Sequence, residues 1–161
     1  ISADGEIIGA GSYLDKVYLF DKEFTNDEPL WTYTAGESQL YMYSVDISAD
    51  GEYIVAVSHR YLIVFNKTSS TPEWIYDIDD TGGGGSIQDV CISGDGNYVA
   101  VSTYKPSGCQ NNCYTLFFFD IESISFICKG WGKNIYVVYL GVIHKVIYFF
   151  VLFRALPRSA S

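Results

Sequence analysis

The chain has 161 residues, 48% of them apolar and 18% charged, with 14 Tyr, 10 Phe and a single Met. That is one domain with enough apolar surface for a core. It excludes wholesale disorder and favours strands over helices. Ten basic against 19 acidic residues give a formal charge of −9, a surface that repels phosphate backbones and disfavours nucleic acid as a partner.

The first residue is Ile1, not Met, which points to a piece of a longer chain or a processed product, and no signal peptide is visible. The opening phrase Ile1-Ser2-Ala3-Asp4-Gly5-Glu6 returns as Ile47-Ser48-Ala49-Asp50-Gly51-Glu52 and, loosened, as Ile92-Ser93-Gly94-Asp95-Gly96-Asn97. Further landmarks follow in the same order. Leu19-Phe20-Asp21-Lys22 answers Val64-Phe65-Asn66-Lys67 and Phe118-Phe119-Asp120, and Pro29-Leu30-Trp31 answers Pro72-Glu73-Trp74. An internal repeat with units starting near 1, 47 and 92 is the dominant feature.

Each unit reads as four short strands. In the second unit they are 44–48, 53–58, 61–66 and 73–78, from β-branched and aromatic enrichment between turn residues. Asp4-Gly5, Asp50-Gly51 and Asp95-Gly96 are hairpin turns. Asp bonds the local backbone there, and Gly supplies a positive φ. Segments 23–29 and 68–72 are longer hairpin loops whose closing Pro starts an outer strand, where a missing N–H is tolerated. The polar insertion 105–112 lengthens the corresponding hairpin of the third unit.

Four antiparallel strands per repeat are the pattern of a propeller blade. The stretch ISADGEIIGAGSYLDKVYLFD resembles the WD-repeat family, with Phe20-Asp21, Phe65-Asn66 and Phe119-Asp120 where that family closes a strand on Trp-Asp. The Gly-His dipeptide of the WD family is absent, and the Pro-x-Trp outer strand is more similar to the pyrroloquinoline-quinone-like propellers. The resemblance covers residues 1 to about 122. It implies an all-β fold of four-stranded blades in an incomplete ring, with 42–48 and 88–93 as innermost strands. Val45, Ile47, Val90 and Ile92 then pack between blades, Trp31 and Trp74 wedge between outer strands, and Phe20, Phe65 and Phe119 pack the blades together. Two units and most of a third leave sheet faces open, so further blades or self-association are expected.

Residues 1–122 hold every acid and five bases, a net −14, whereas 123–161 hold five bases and no acid. That shift separates the repeats from an atypical basic, hydrophobic tail. Within it, 135–153 form a run of 19 residues long enough to cross a bilayer as a helix, with His144 and Lys145 near its centre. Three readings stay open for the tail: the end of the third blade plus extra strands broken at Gly141, a membrane anchor, or out-of-frame sequence.

Candidate chemistry is thin. His59 sits in a turn and His144 in the tail, with no nucleophile or ligand set around either in sequence. Cys109 and Cys113 could close a local disulfide in an oxidising compartment, while Cys91 and Cys128 read as small apolar core residues. The glycine run 81–86 lacks the Lys of a phosphate loop, and Asp77, Asp79 and Asp80 lack Ca²⁺-loop spacing. Asn66-Lys67-Thr68 matches a glycosylation acceptor. The expectation is a noncatalytic binding or scaffold module, without cofactor, whose loops hold a protein or small-ligand partner. An acidic rim suits cationic partners. Two alternatives are a membrane-tethered surface sensor anchored by 135–153 and a fragment of a quinone-dependent propeller dehydrogenase. The latter offers only Asp46 and Asp89 as channel acids. The reading leans to an extracytoplasmic or membrane-associated setting.

Overall fold

The computed structural model describes residues 1–23, 28–36, 41–77, 86–105, 113–122, 125–131, 135–139 and 150–154. The glycine run, Asp79, Asp80, Cys109, Gly141, His144 and Lys145 lie outside them, and so do most of the two loops at 23–29 and 105–112. The described regular structure is all strand, arranged as three antiparallel sheets. The first contains β1 (Ile7–Gly11), β2 (Lys16–Asp21) and β3 (Trp31–Thr34). The second has four strands: β4 (Met42–Ile47), β5 (Tyr53–Ser58), β6 (Tyr61–Asn66) and β7 (Trp74–Asp77). The third begins with β8 (Ser86–Ile92), β9 (Tyr98–Lys105), β10 (Cys113–Asp120) and β11 (Ser125–Trp131). It continues through β12 (Ile135–Tyr139) and β13 (Phe150–Arg154) to six strands. These are propeller-type blades that do not close into a ring.

Register shows how the units correspond. Ile8 opposes Phe20 and Ala10 opposes Tyr18 in the first sheet; Ile54 opposes Phe65 and Ala56 opposes Ile63 in the second; Val99 opposes Phe119 and Val101 opposes Phe117 in the third. Strand β1 is therefore the counterpart of β5 and β9, and the first sheet has no described counterpart of β4. The repeated Ser-x-Asp-Gly phrase joins the first and second strands of a blade, so a unit counted from Ile1 begins inside one.

The second sheet lies between the other two, and both its faces are apolar. Ile54, Ala56, Ile63 and Phe65 join Val17, Leu19, Met42 and Ile47 in one core cluster. Val55, Val57, Leu62 and Val64 join Ile87, Val90, Val99, Val101, Phe117 and Phe119 in the other. Strands β5 and β6 consequently read as unbroken apolar runs, because alternating side chains are buried on both sides. Each full burial of such a side chain contributes roughly 1.5–3 kcal/mol. Gly9 and Gly11 let the first sheet approach closely: a Cβ on Gly9 would lie 3.1 Å from both Ile47 and Val45, and one on Gly11 3.0 Å from Met42 and Val45.

One sequence reading changes here, and one left open is narrowed. Cys91 is exposed, not a core residue, since alternation along β8 turns it away from buried Val90. The described parts of 135–153 are strands, with Ile135 through Tyr139 paired to Arg154 through Phe150. Among the described residues no helix is long and apolar enough to cross a membrane.

Candidate functional site

The three Asp-Gly turns are built from the same atoms. Ser2 Oγ donates to Asp4 Oδ1 at 2.6 Å, that oxygen also accepts from Glu6 N at 3.0 Å, and Ser2 Oγ accepts from Ile7 N at 3.0 Å. Ser48, Asp50, Glu52 and Tyr53 repeat the arrangement at 2.6, 3.0 and 3.0 Å. Ser93, Asp95, Asn97 and Tyr98 repeat it at 2.5, 3.1 and 2.9 Å. Gly5, Gly51 and Gly96 carry φ of 75°, 74° and 74°, the left-handed region that disfavours a Cβ. The Ser hydroxyl, followed by the backbone N–H, holds Asp4, Asp50 and Asp95 below the ordinary carboxylate range.

These turns also stitch the sheets together. Ala3 N donates to Ala49 O at 2.9 Å, and Ala49 N donates to Gly94 O at 3.0 Å. The inner strands add a polar clasp at the second joint. Asp46 accepts from Ile47 N with one oxygen and from Ile92 N, in the next sheet, with the other, both at 2.9 Å. Asp89 accepts from Val90 N at 3.0 Å and from Ser44 Oγ, across the joint, at 2.6 Å. The two acids considered for a channel therefore bridge blades. Both inner strands carry a bulge at the same repeat position, between Met42 and Ser44 and between Ile87 and Asp89. It leaves Tyr43 and Gln88 exposed. His59 is exposed in the β5–β6 turn, where its carbonyl accepts from Ile87 N at 3.0 Å.

On the outer side, aromatic residues fill each joint. Trp31 lies 5.2 Å and Tyr33 5.0 Å from Phe65, ring to ring. Trp74 lies 5.8 Å and Tyr76 4.7 Å from Phe119. The rule is simple: the third-strand Phe of one sheet meets the Trp-x-Tyr of the sheet before it. Phe20 holds the same position in the first sheet but faces the other way from the joint, where it stacks on Tyr18 at 6.1 Å and is only half-buried. Charged pairs flank the outer turns: Lys22 with Glu6, Lys67 with Glu52, and Arg60 with Asp77.

The two Trp residues differ in one respect. Trp31 Nε1 donates to the Lys67 carbonyl at 2.8 Å. Trp74 Nε1 is buried with no acceptor, a state that costs roughly 1–3 kcal/mol. Beside it is a cavity of about 240 Å³ lined by Tyr53, Glu73, Trp74, Ile121 and Glu122. Sequence reading identified both tryptophans as wedges and missed this asymmetry. No change of residue type signals it, because the acceptor at Trp31 is a main-chain carbonyl. Among the described residues no group of His, Cys, Asp and Glu is arranged to hold a metal. Cys109 lies outside the described residues, and the Cys109–Cys113 pairing with it.

No family model matches the chain, and no curated protein matches it.

Proposed function

We propose that this chain is a noncatalytic propeller-type scaffold, of the kind the WD-repeat and quinone-like propeller patterns suggest, whose open sheet face seats on another sheet of the same repeat. The isolated chain draws that sheet from a second copy. One observation carries the reading. Ile54, Ala56, Ile63 and Phe65 are between 0% and 1% exposed where the first sheet covers them, and Val99, Val101, Phe117 and Phe119 between 0% and 2% where the second does. Ile8, Ala10, Tyr18 and Phe20 occupy the same register positions on the first sheet, and they are only partly buried. A face with the composition of a covered joint, over which none of the described sheets lies, favours association. The acidic side chains then line the loops around a rigid stack, placed to engage a protein or small-ligand partner.

Sedimentation velocity on the full chain tests this. Wild-type protein is expected to self-associate at about 10–100 µM, the range of a modest apolar interface. Phe20→Glu is expected to weaken association at least tenfold. A wild-type chain that stays monomeric throughout the range, or a Phe20→Glu variant that associates as tightly, overturns the reading.

A further inference from the structure

We propose that Asn66 is an acceptor site for an N-linked oligosaccharide, with its side-chain nitrogen the atom that takes the sugar. This inference is independent of the self-association proposed above. Asn66 stands at the turn between β6 and β7, on the sheet whose two faces are already covered.

Asn66-Lys67-Thr68 is the one Asn-x-Ser/Thr triplet in the chain. Matched positions show what the fold itself asks of Asn66. Lys22 N donates to Glu6 O at 2.8 Å and Lys67 N to Glu52 O at 2.9 Å, so the residues before them, Asp21 and Asn66, are equivalent. Asp21 Oδ1 accepts from Glu23 N at 3.1 Å, and Asn66 Oδ1 accepts from Thr68 N at 3.0 Å. The turn needs one acceptor oxygen at this place, and a carboxylate supplies it as well as an amide does. The third sheet has an acid there too, Asp120. Asn66 brings the same oxygen and adds a nitrogen. The Thr68 hydroxyl donates to that oxygen as well, at 2.7 Å, so both bonds fall on Oδ1. Nδ2 has no hydrogen-bond partner among the described residues and is not one of their buried unpaired atoms. It therefore meets water, and the fold spends it on nothing. Thr68 and Thr71 are exposed, so the turn can carry a bulky hydrophilic group without displacing core. In the transfer, Nδ2 bonds to the anomeric carbon of an oligosaccharide held on a polyisoprenyl diphosphate. The carbon–oxygen bond to the diphosphate breaks, and its electron pair leaves with the diphosphate. The amide gives up one proton, and nothing is oxidised or reduced.

The test is to express the full chain behind a cleavable leader in a cell that N-glycosylates secreted proteins. Intact mass is read before and after digestion with a glycopeptide amidase, in medium and cell extract together, so that unsecreted chain is counted. Wild type and Thr68→Ser are expected to carry one amidase-sensitive glycan, since Ser keeps the hydroxyl of the motif. Thr68→Val and Asn66→Asp are expected to carry none. Asn66→Asp keeps the acceptor that Asp21 supplies in the first sheet, so its loss of the glycan is not a loss of the fold. Glycosylated and digested wild type are expected to melt together, because the modified nitrogen holds nothing in the native state. An unmodified wild type, a glycan that persists in Asn66→Asp, or a glycan that lowers the thermal midpoint by about 5 °C or more overturns the proposal.

Discussion

Asp50 shows how much one side chain organises. Its carboxylate accepts from the Ser48 hydroxyl and the Glu52 N–H, and Gly51 completes the turn with φ of 74°. Both bonds favour the ionised form, which lowers the pKa in the folded state. Above the unfolded pKa the carboxylate is charged in both states and the stabilisation is complete. It is lost as pH falls through the folded pKa, because the native state must then take up a proton at the cost of these bonds. Asp4 and Asp95 shift in the same direction for the same reason. Asp50→Asn keeps an acceptor oxygen for Ser48 and Glu52 but cannot titrate. Its urea midpoint is expected to decline less steeply than wild type as pH drops from about 4.5 downwards, and to lie at or below wild type at neutral pH. An identical acid slope in the two proteins would place the acid sensitivity elsewhere. The Asp and Gly of this turn were legible in the sequence, since each residue type has one strong local use. The Ser was not, because its hydroxyl serves both Asp50 and Tyr53 N and only the closed turn brings those groups together.

Strands and joints come next in scale. The second unit could be read almost to the residue: β5 and β6 match 53–58 and 61–66, because a strand buried on both faces has no polar position to blur its ends. The third unit was harder. Strands β9 and β10 each run to eight residues where β5 and β6 have six, and β11 lacks the Pro-x-Trp start. Nothing in the composition of 123–161 distinguished an added strand from an apolar helix, because a continuous apolar run has no period of two. The joints admit a sharper test. Trp31→Phe removes a made hydrogen bond and leaves the Lys67 carbonyl without its donor, a loss of about 0.5–1.5 kcal/mol. Trp74→Phe removes a buried N–H that has no acceptor, so the desolvation cost goes with it, and each Phe gives up similar ring area. Trp31→Phe is therefore expected to be the more destabilising by about 1 kcal/mol or more, read as the difference in unfolding free energy from urea melts. Equal losses would mean that Trp74 Nε1 finds an acceptor in solution.

At the scale of the molecule, charge and apolar area pull in opposite directions. The chain carries −9 overall, divided into −14 over residues 1–122 and +5 over residues 123–161. Two modes of self-association follow from that division, and they respond oppositely to salt. If the open face of β1 and β2 seats on a sheet of a second copy, the contact is formed by Ile8, Ala10, Tyr18 and Phe20. Two net-negative bodies must approach to make it. Salt shortens the screening length from about 10 Å at 0.1 M to about 3 Å at 1 M. It therefore relieves the repulsion while leaving apolar burial intact. If instead the basic tail of one copy lies against the acidic blades of another, the same screening removes the attraction. The face-to-face mode is the one the joint geometry supports, because the Phe20 position is filled by an aromatic at each of the other sheets and covered there by Trp-x-Tyr. Raising NaCl from about 0.05 to about 0.5 M is accordingly expected to tighten self-association several-fold, measured as the sedimentation dissociation constant. Association that weakens over that range would assign the contact to the tail and leave the first sheet without its partner.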